Sequence, residues 1–348
     1  MTDHAFNPRR FFLRVAASTG LSALGAAGSA QAFMGAPRKF EWLPTECADQ
    51  RYPMQMISGQ FQSSDGAIIP VPAGKIINNG WGEIGSRRLV GAPEKPVPER
   101  LELSWFSFAE DTFYGGRVPL PQDLLTKLFV EGFEQPLTHA RVTWEKIIVG
   151  MGLGGWTSVW LAGSGLVREV ARTRLEPVSI DWKLVLDNPG IERAEFVRST
   201  LMKRLGTDQF EALTRSGPPV SLWPRYAQRE RWNLAVAGSS VPQHVFLRGF
   251  NGERQFHDFT RSPPGVFETV PKHVQITYLS PSGRKVLAEI HFDEAEIFGA
   301  FDRIRGSGST ALTLRFEMGA RSRISMALEG PASKTLLQRS RVEQSSLG

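Results

Sequence analysis

The side chains best placed to do chemistry stand at Glu110-Asp111-Thr112-Phe113-Tyr114, where two carboxylates adjoin a phenol. Such a group can bind a cation, a basic side chain of a partner or a sugar hydroxyl, because charged acceptors make the stronger hydrogen bonds. The same residues also suit a solvated hairpin turn. His257-Asp258 is an adjacent base–acid pair that could serve a distant serine as a general-base dyad. Gly150-Met151-Gly152-Leu153-Gly154-Gly155 fits the spacing of a dinucleotide cradle, which further requires a helix next, with its N-terminus on the pyrophosphate. Trp156-Thr157-Ser158-Val159-Trp160-Leu161 follows instead and reads as a strand. The run therefore predicts a glycine-rich connection between two strands. Leu222-Trp223-Pro224-Arg225-Tyr226 mixes arginine with aromatic rings, which makes either a cation–π anion patch or ordinary packing of arginine stems. No G-x-x-x-x-G-K-[ST] loop, no G-x-S-x-G elbow and no H-E-x-x-H pair occurs in the chain. The single cysteine, Cys47, excludes an intramolecular disulfide framework and a cysteine-based metal cluster. These residues assign no catalytic group, no cofactor and no metal. An enzyme stays open, since catalytic groups need not be adjacent in sequence.

The elements that must position these residues read as α+β. Residues 33–97 form a loop-rich lead-in with short strands at Met54–Ile57 and Ile68–Val71. A proline-rich linker follows at Glu94-Lys95-Pro96-Val97-Pro98. From 98 to 180 the pattern is that of a first sheet-and-helix unit. Leu101, Leu103 and Trp105 alternate with polar residues, as in a half-buried strand, and a second strand runs to Leu120. Pro121 opens a short amphipathic helix with Leu124, Leu125, Leu128 and Phe129 on one face. Residues 181–265 are expected to be a mainly helical connecting segment. Residues 266–348 repeat the first unit: Pro98, Leu101, Leu103 and Trp105 align with Pro271, Val274, Ile276 and Tyr278. Asp293 caps the second helix. The fold expected is two similar units of mainly antiparallel sheet with one helix each.

Residues 1–32 read as an export signal. Arg9-Arg10-Phe11-Phe12-Leu13-Arg14 fits the twin-arginine pattern, and Ala30-Gln31-Ala32 offers a cleavage site after Ala32. The chain of 348 residues has a net charge of +6 and 41% hydrophobic residues, which excludes disorder along its whole length. So small a charge surplus gives no case for nucleic-acid binding. No run after the signal is apolar and long enough to span a membrane. Leu43-Pro44-Thr45-Glu46-Cys47 lacks the small residues that precede a lipid-attachment cysteine. The expectation is a soluble periplasmic protein.

Trp105-Phe106-Ser107-Phe108-Ala109-Glu110-Asp111-Thr112-Phe113-Tyr114 resembles the core of a bacterial family catalogued as domain of unknown function 2931. Leu120-Pro121, Ile147-Ile148-Val149-Gly150, Val159-Trp160-Leu161-Ala162-Gly163 and Asn79-Gly80-Trp81-Gly82 carry the resemblance further, best over 78–180 and out to 235. The resemblance implies an exported protein, often a lipoprotein, with no assigned enzymatic activity. Some members resemble accessory or immunity proteins of type VI secretion lipase effectors. The function expected is a non-catalytic binding protein with a protein partner in the cell envelope. Its binding residues would be Trp81, Trp105, Glu110, Asp111, Tyr114, Trp223 and Arg225. The alternative is an envelope enzyme or carrier for a lipid or glycan, with a pocket near Trp81, Trp105 and Trp223.

Overall fold

A computed structural model describes residues 38–87, 91–184, 190–306, 311–318, 324–331 and 333–347. The expected leader, with Arg9, Arg10 and the cleavage point after Ala32, lies outside the described residues. Contacts divide the described chain into two compact units, residues 38–131, 143–159 and 170–220, and residues 132–142, 160–169 and 221–347.

After a short strand at Lys39–Glu41, which pairs antiparallel with Glu94–Pro96, come β1 (Leu43–Ala48), β2 (Met54–Gln62) and β3 (Ile68–Pro70). The hairpin β4 (Arg100–Ser107) and β5 (Thr112–Pro119) follows, then helix α1 (Gln122–Glu131). Next come β6 (Lys146–Met151), β7 (Trp156–Gly163), β8 (Leu166–Arg174) and the short β9 (Glu176–Pro177). Two helices, α2 (Arg193–Leu205) and α3 (Thr207–Ser216), and a single turn, α4 (Leu222–Tyr226), make up the helical stretch. Beyond it lie β10 (Arg229–Gly238), β11 (Val241–Gly249), β12 (Arg254–Asp258) and β13 (Phe267–Thr269). A second hairpin, β14 (Pro271–Leu279) and β15 (Lys285–His291), precedes helix α5 (Glu294–Gly306). The chain ends with β16 (Leu312–Met318), β17 (Ile324–Gly330), β18 (Ser333–Leu337) and β19 (Arg341–Ser346).

The pairing of these strands is duplicated. In the first copy β2 pairs antiparallel with β4, and β4 with β5. In the second, β11 pairs with β14 and β14 with β15 in the same way. Strand β1 lies parallel to β6, Leu43 opposite Lys146, and β10 lies parallel to β16, Trp232 opposite Leu312. Antiparallel strands extend both parallel pairs, β7 beside β6 and β17 beside β16. Outer strands match as well, since β9 pairs β5 as β19 pairs β15. The repeat is therefore longer than the alternating hairpins suggested. Its copies start at β1 and β10, not near 98 and 266.

Two expectations are corrected by this. The segment 33–97 supplies the first strands of copy one and is more than a lead-in. The stretch 181–265, expected to be mainly helical, is helical only as far as Tyr226. In β10 the exposed Arg229, Arg231 and Asn233 alternate with the buried Glu230, Trp232 and Leu234, a period of two that only a sheet accommodates. Most pairings are antiparallel, as expected, and the two parallel pairs stand among them. Asp293 does cap α5, its carboxylate accepting from the Glu296 N–H at 2.8 Å.

Strand β1 carries buried polar residues, and a neighbouring loop partners Thr45 Oγ1 and Glu46 Oε1, while Glu46 Oε2 is buried without a hydrogen bond. Gly85 N–H donates to Thr45 Oγ1 at 3.0 Å, and Ser86 Oγ donates to Glu46 Oε1 at 2.5 Å. Gly82 N–H reaches the Cys47 sulfur at 3.3 Å, and Asn79 Oδ1 accepts from Ala48 N–H. The Asn79-Gly80-Trp81-Gly82 run is thus a brace for an edge strand. In the second unit the core gathers the inward faces of β10, β11, β14, β15 and β16 with Ile297, Phe298, Phe301 and Ile304 of α5.

Candidate functional site

The acidic–aromatic run occupies the tip of the β4–β5 hairpin. Trp105 lies opposite Tyr114 and Ser107 opposite Thr112, so residues 108–111 make the turn. Asp111 sits at φ +47, which short polar side chains tolerate better than most. Glu110 folds back beneath the turn. Its Oε2 accepts from Ser107 Oγ at 2.8 Å, and its Oε1 accepts from Tyr114 OH and from Gly154 N–H, both at 2.9 Å. Arg174 Nε donates to the Gly154 carbonyl at 2.8 Å. One carboxylate therefore ties the hairpin to the glycine-rich turn between β6 and β7. That turn is a strand connection, as its sequence predicts.

Burial first, and then the Glu110 carboxylate, push the Tyr114 phenol well above its ordinary value of 10.0. A group whose pKa is raised by folding stabilises the protein fully while it stays protonated in the unfolded chain too. That stabilisation is present below about pH 10 and is lost as the pH rises beyond it. We expect the urea midpoint to fall between about pH 9 and pH 11, and the fall to shrink in Tyr114→Phe. An equal fall in both proteins would refute the assignment.

Asp111 faces the other way. Its Oδ1 accepts from Arg193 Nε at 2.7 Å, at the first residue of α2. The Arg193 guanidinium lies 5.2–5.4 Å from the centroids of Phe106, Phe113 and Trp182. These rings, with Phe196, Leu201 and Leu205 of α2 and Phe210 and Leu213 of α3, form an apolar cluster on the outer face of the β4–β5 sheet.

Beyond that cluster the same sheet face lies open. Ser58, Ser104 and Gly115 stand side by side on β2, β4 and β5, and Gln60, Glu102 and Arg117 form the next row. The first row is too small to hide the backbone, which leaves a crevice of about 210 Å³ with Val178 as a side wall. The second row makes a polar rim. Arg117 Nε donates to Glu102 Oε1 at 2.9 Å, and Gln60 Nε2 approaches Glu102 Oε2 at 3.3 Å. On the floor the Ser58 and Ser104 hydroxyls are 2.7 Å apart. One hydroxyl donates to the other, which keeps one proton to offer a visitor.

The other expected residues are dispersed. Trp105 is fully buried against Tyr114, ring centroids 5.5 Å apart, and Trp81 is buried in the loop that braces β1. Trp223 and Arg225 belong to the second unit. Trp223 is buried, and Arg225 stacks 4.8 Å over Phe298 while its Nη2 meets Asp302 at 2.6 Å. His257 and Asp258 do not act on each other. His257 Nε2 is 2.8 Å from the Ser262 carbonyl. Asp258 accepts from the Thr260 hydroxyl and N–H, which with the His244 and His139 charges hold its carboxyl below the usual range against the opposing push of burial, and it faces His139 Nε2 at 3.3 Å. His139 also meets Glu134 at 2.6 Å through its other nitrogen. Histidines that look scattered in the chain thus gather in the second unit, and no local spacing announces it. Among the described residues no group of three or more histidine, cysteine or acidic side chains is arranged to hold a metal ion.

Fold and site together define an α+β protein whose strand pairing occurs twice, with a crevice on the first copy's sheet. The family description "Protein of unknown function (DUF2931)" matches residues 28–206, and the chain belongs to that family. No curated protein and no solved structure matches the chain.

Proposed function

We propose that the protein is exported to the periplasm and acts there as a non-catalytic binding protein of the immunity or accessory type. Its partner is a protein of the cell envelope. The observation that carries this reading is the crevice at Ser58, Ser104 and Gly115. A volume of about 210 Å³ takes one large side chain, and a partly exposed polar rim surrounds it. Buried anchors in small pockets, ringed by groups that exclude water, supply most of the affinity of protein interfaces. Arg9-Arg10 and the Ala30-Gln31-Ala32 site support export. Cys47 is fully buried within β1, which supports a form without a lipid anchor. No helix of the described residues is long and apolar enough to cross a membrane.

The test is co-expression of residues 33–348 with the product of the adjacent reading frame, followed by size-exclusion chromatography. A stable complex is expected. Gly115→Val places methyl groups over the floor, where a Cβ already lies 3.2 Å from Val178. This change and Glu102→Ala should each weaken the complex at least about tenfold, the scale of an interface hot spot. Separate elution of the two proteins, or a complex indifferent to both changes, would sink the proposal.

A further inference from the structure

The second unit carries a row of basic side chains that its local sequence gives no hint of. Arg254 of β12 lies opposite Arg248 of β11, and Arg248 opposite His273 of β14. His273 lies opposite His291 of β15, and His291 opposite Arg341 of β19. Directly opposed residues put their side chains on one face of a sheet. Five basic side chains therefore stand abreast on five neighbouring strands, over a span of roughly 19 Å at the usual strand spacing. The other face of these strands is core, through Leu247, Val274 and Ile290. The two imidazoles stack with centroids 4.2 Å apart and planes 17° from parallel.

Like charges placed directly opposite one another destabilise a sheet. Carboxylates in the next row answer part of this. Arg341 Nε meets Glu343 at 3.2 Å, and Glu289 Oε1 accepts from Gln275 Nε2 at 2.6 Å. At the other end the sheet holds a pocket of about 180 Å³, where Arg248, Arg254, His273 and Gln275 supply polar groups beside Gly165, Phe246 and Leu247. His273 Nε2 is buried without a hydrogen-bond partner, and the nearest carboxylate oxygen, Glu289 Oε1, is 3.8 Å away.

We propose that this pocket binds a phosphoryl group, held by Arg248 and Arg254 and by the buried Nε2 of His273. Guanidinium groups match tetrahedral oxyanions through paired N–H donors. A pocket of this size admits a phosphate and the first atoms attached to it. The group can belong to a soluble phosphomonoester or to a phospholipid headgroup. The site is separate from the crevice of the first unit, and neither depends on the other.

His273 also supplies a readout. Its burial, then the His291, Arg248 and Lys272 charges, hold its pKa down to about 4, with Glu289 opposing them. A bound dianion stabilises the imidazolium and raises that pKa, so binding takes up a proton. The affinity per phosphate dianion, after allowing for the dianion's own protonation near about pH 6, should therefore rise as the pH falls from about 7 towards the free value.

The experiment is titration of the full chain with inorganic phosphate, followed by the His273 ring resonances in NMR. Flotation with vesicles of phosphatidylglycerol, against vesicles of phosphatidylcholine alone, runs in parallel. Saturable phosphate binding that moves the His273 resonances is expected. Arg248→Gln and His273→Gln should each weaken it about tenfold or more, while Arg341→Gln, at the far end of the row, should not. Binding to phosphate alone assigns a soluble phosphomonoester, and additional selective flotation with phosphatidylglycerol assigns a headgroup. No saturable binding to either probe, or binding that Arg248→Gln and His273→Gln leave intact in the folded protein, overturns the proposal. Unmoved His273 resonances during phosphate binding overturn it equally, without any variant.

Discussion

Gly155→Val is expected to destabilise the first unit severely. Gly155 sits at φ +79, where an L side chain is strained by about 1–2 kcal/mol before any contact is considered. The contact is worse than the strain. A Cβ at this position would stand 2.0 Å from the Leu175 carbonyl oxygen and 2.9 Å from the Tyr114 ring. The backbone cannot retreat cheaply, because Leu175 N–H donates to the Gly155 carbonyl at 2.8 Å. Moving it also drags Gly154 off Glu110. We expect a loss of at least about 4 kcal/mol, a large part of what a domain of this kind has to lose. Gly206→Ala is the control. It has a comparable φ of +74, with a ψ of 171 that is itself strained for an L residue, but nothing lies within 4 Å of its added carbon, so it should cost only about 1–3 kcal/mol. Urea unfolding followed by tryptophan fluorescence separates the two. Equal midpoints for both variants would refute the close-approach argument.

Glu110→Ala should cost about 3–5 kcal/mol. The change strands three donors at once, Ser107 Oγ, Tyr114 OH and Gly154 N–H, and Ser107 and Tyr114 are buried. Each buried donor left without a partner costs about 1–3 kcal/mol, and the three share one network, so the sum is not simply additive. Glu110→Gln keeps the shape and one acceptor oxygen, and should lose about half as much. A double-mutant cycle with Tyr114→Phe isolates the phenol bond, with an expected coupling of about 1–2 kcal/mol. An unfolding free energy unchanged in Glu110→Ala would show that the carboxylate is bystander and not brace. The same variant separates folding from partner capture. If Glu110 acts only through the hairpin, conditions that restore the fold also restore binding.

The hairpins were legible because their information is local. Leu101, Leu103 and Trp105 in one copy, and Val274, Ile276 and Tyr278 in the other, show their inward face by simple alternation. The glycine-rich turn was legible for the same reason, since the residues after Gly155 are strand formers. Strand β1 was not, because Thr45 and Glu46 are polar yet buried, and they find their partners in Gly85 and Ser86 far along the chain. Strand β10 was obscured because it lies within the 181–265 stretch expected to be helical, and its inward Trp232 and Leu234, which alternate with polar residues, find a partner strand in β16 far along the chain. The candidate sites were the least legible. The crevice needs Ser58 beside Ser104 beside Gly115, and the basic row needs Arg254 beside Arg248 beside His273. Register between distant strands creates both, and no window of sequence contains it. Glu110 and Tyr114 were found as chemistry, and the structure gives them a bracing job.

The parallel pairs of β1 with β6 and β10 with β16 also bear on how the chain folds in time. Leu43 must wait for Lys146, and Trp232 for Leu312, before either first strand has its partner. Contacts between residues so distant along the chain cost loop entropy before they return any stability, and folding slows accordingly. As the polypeptide leaves the ribosome, β1 emerges long before its partner and must be kept from pairing elsewhere. Each of the two copies closes only when a late strand arrives.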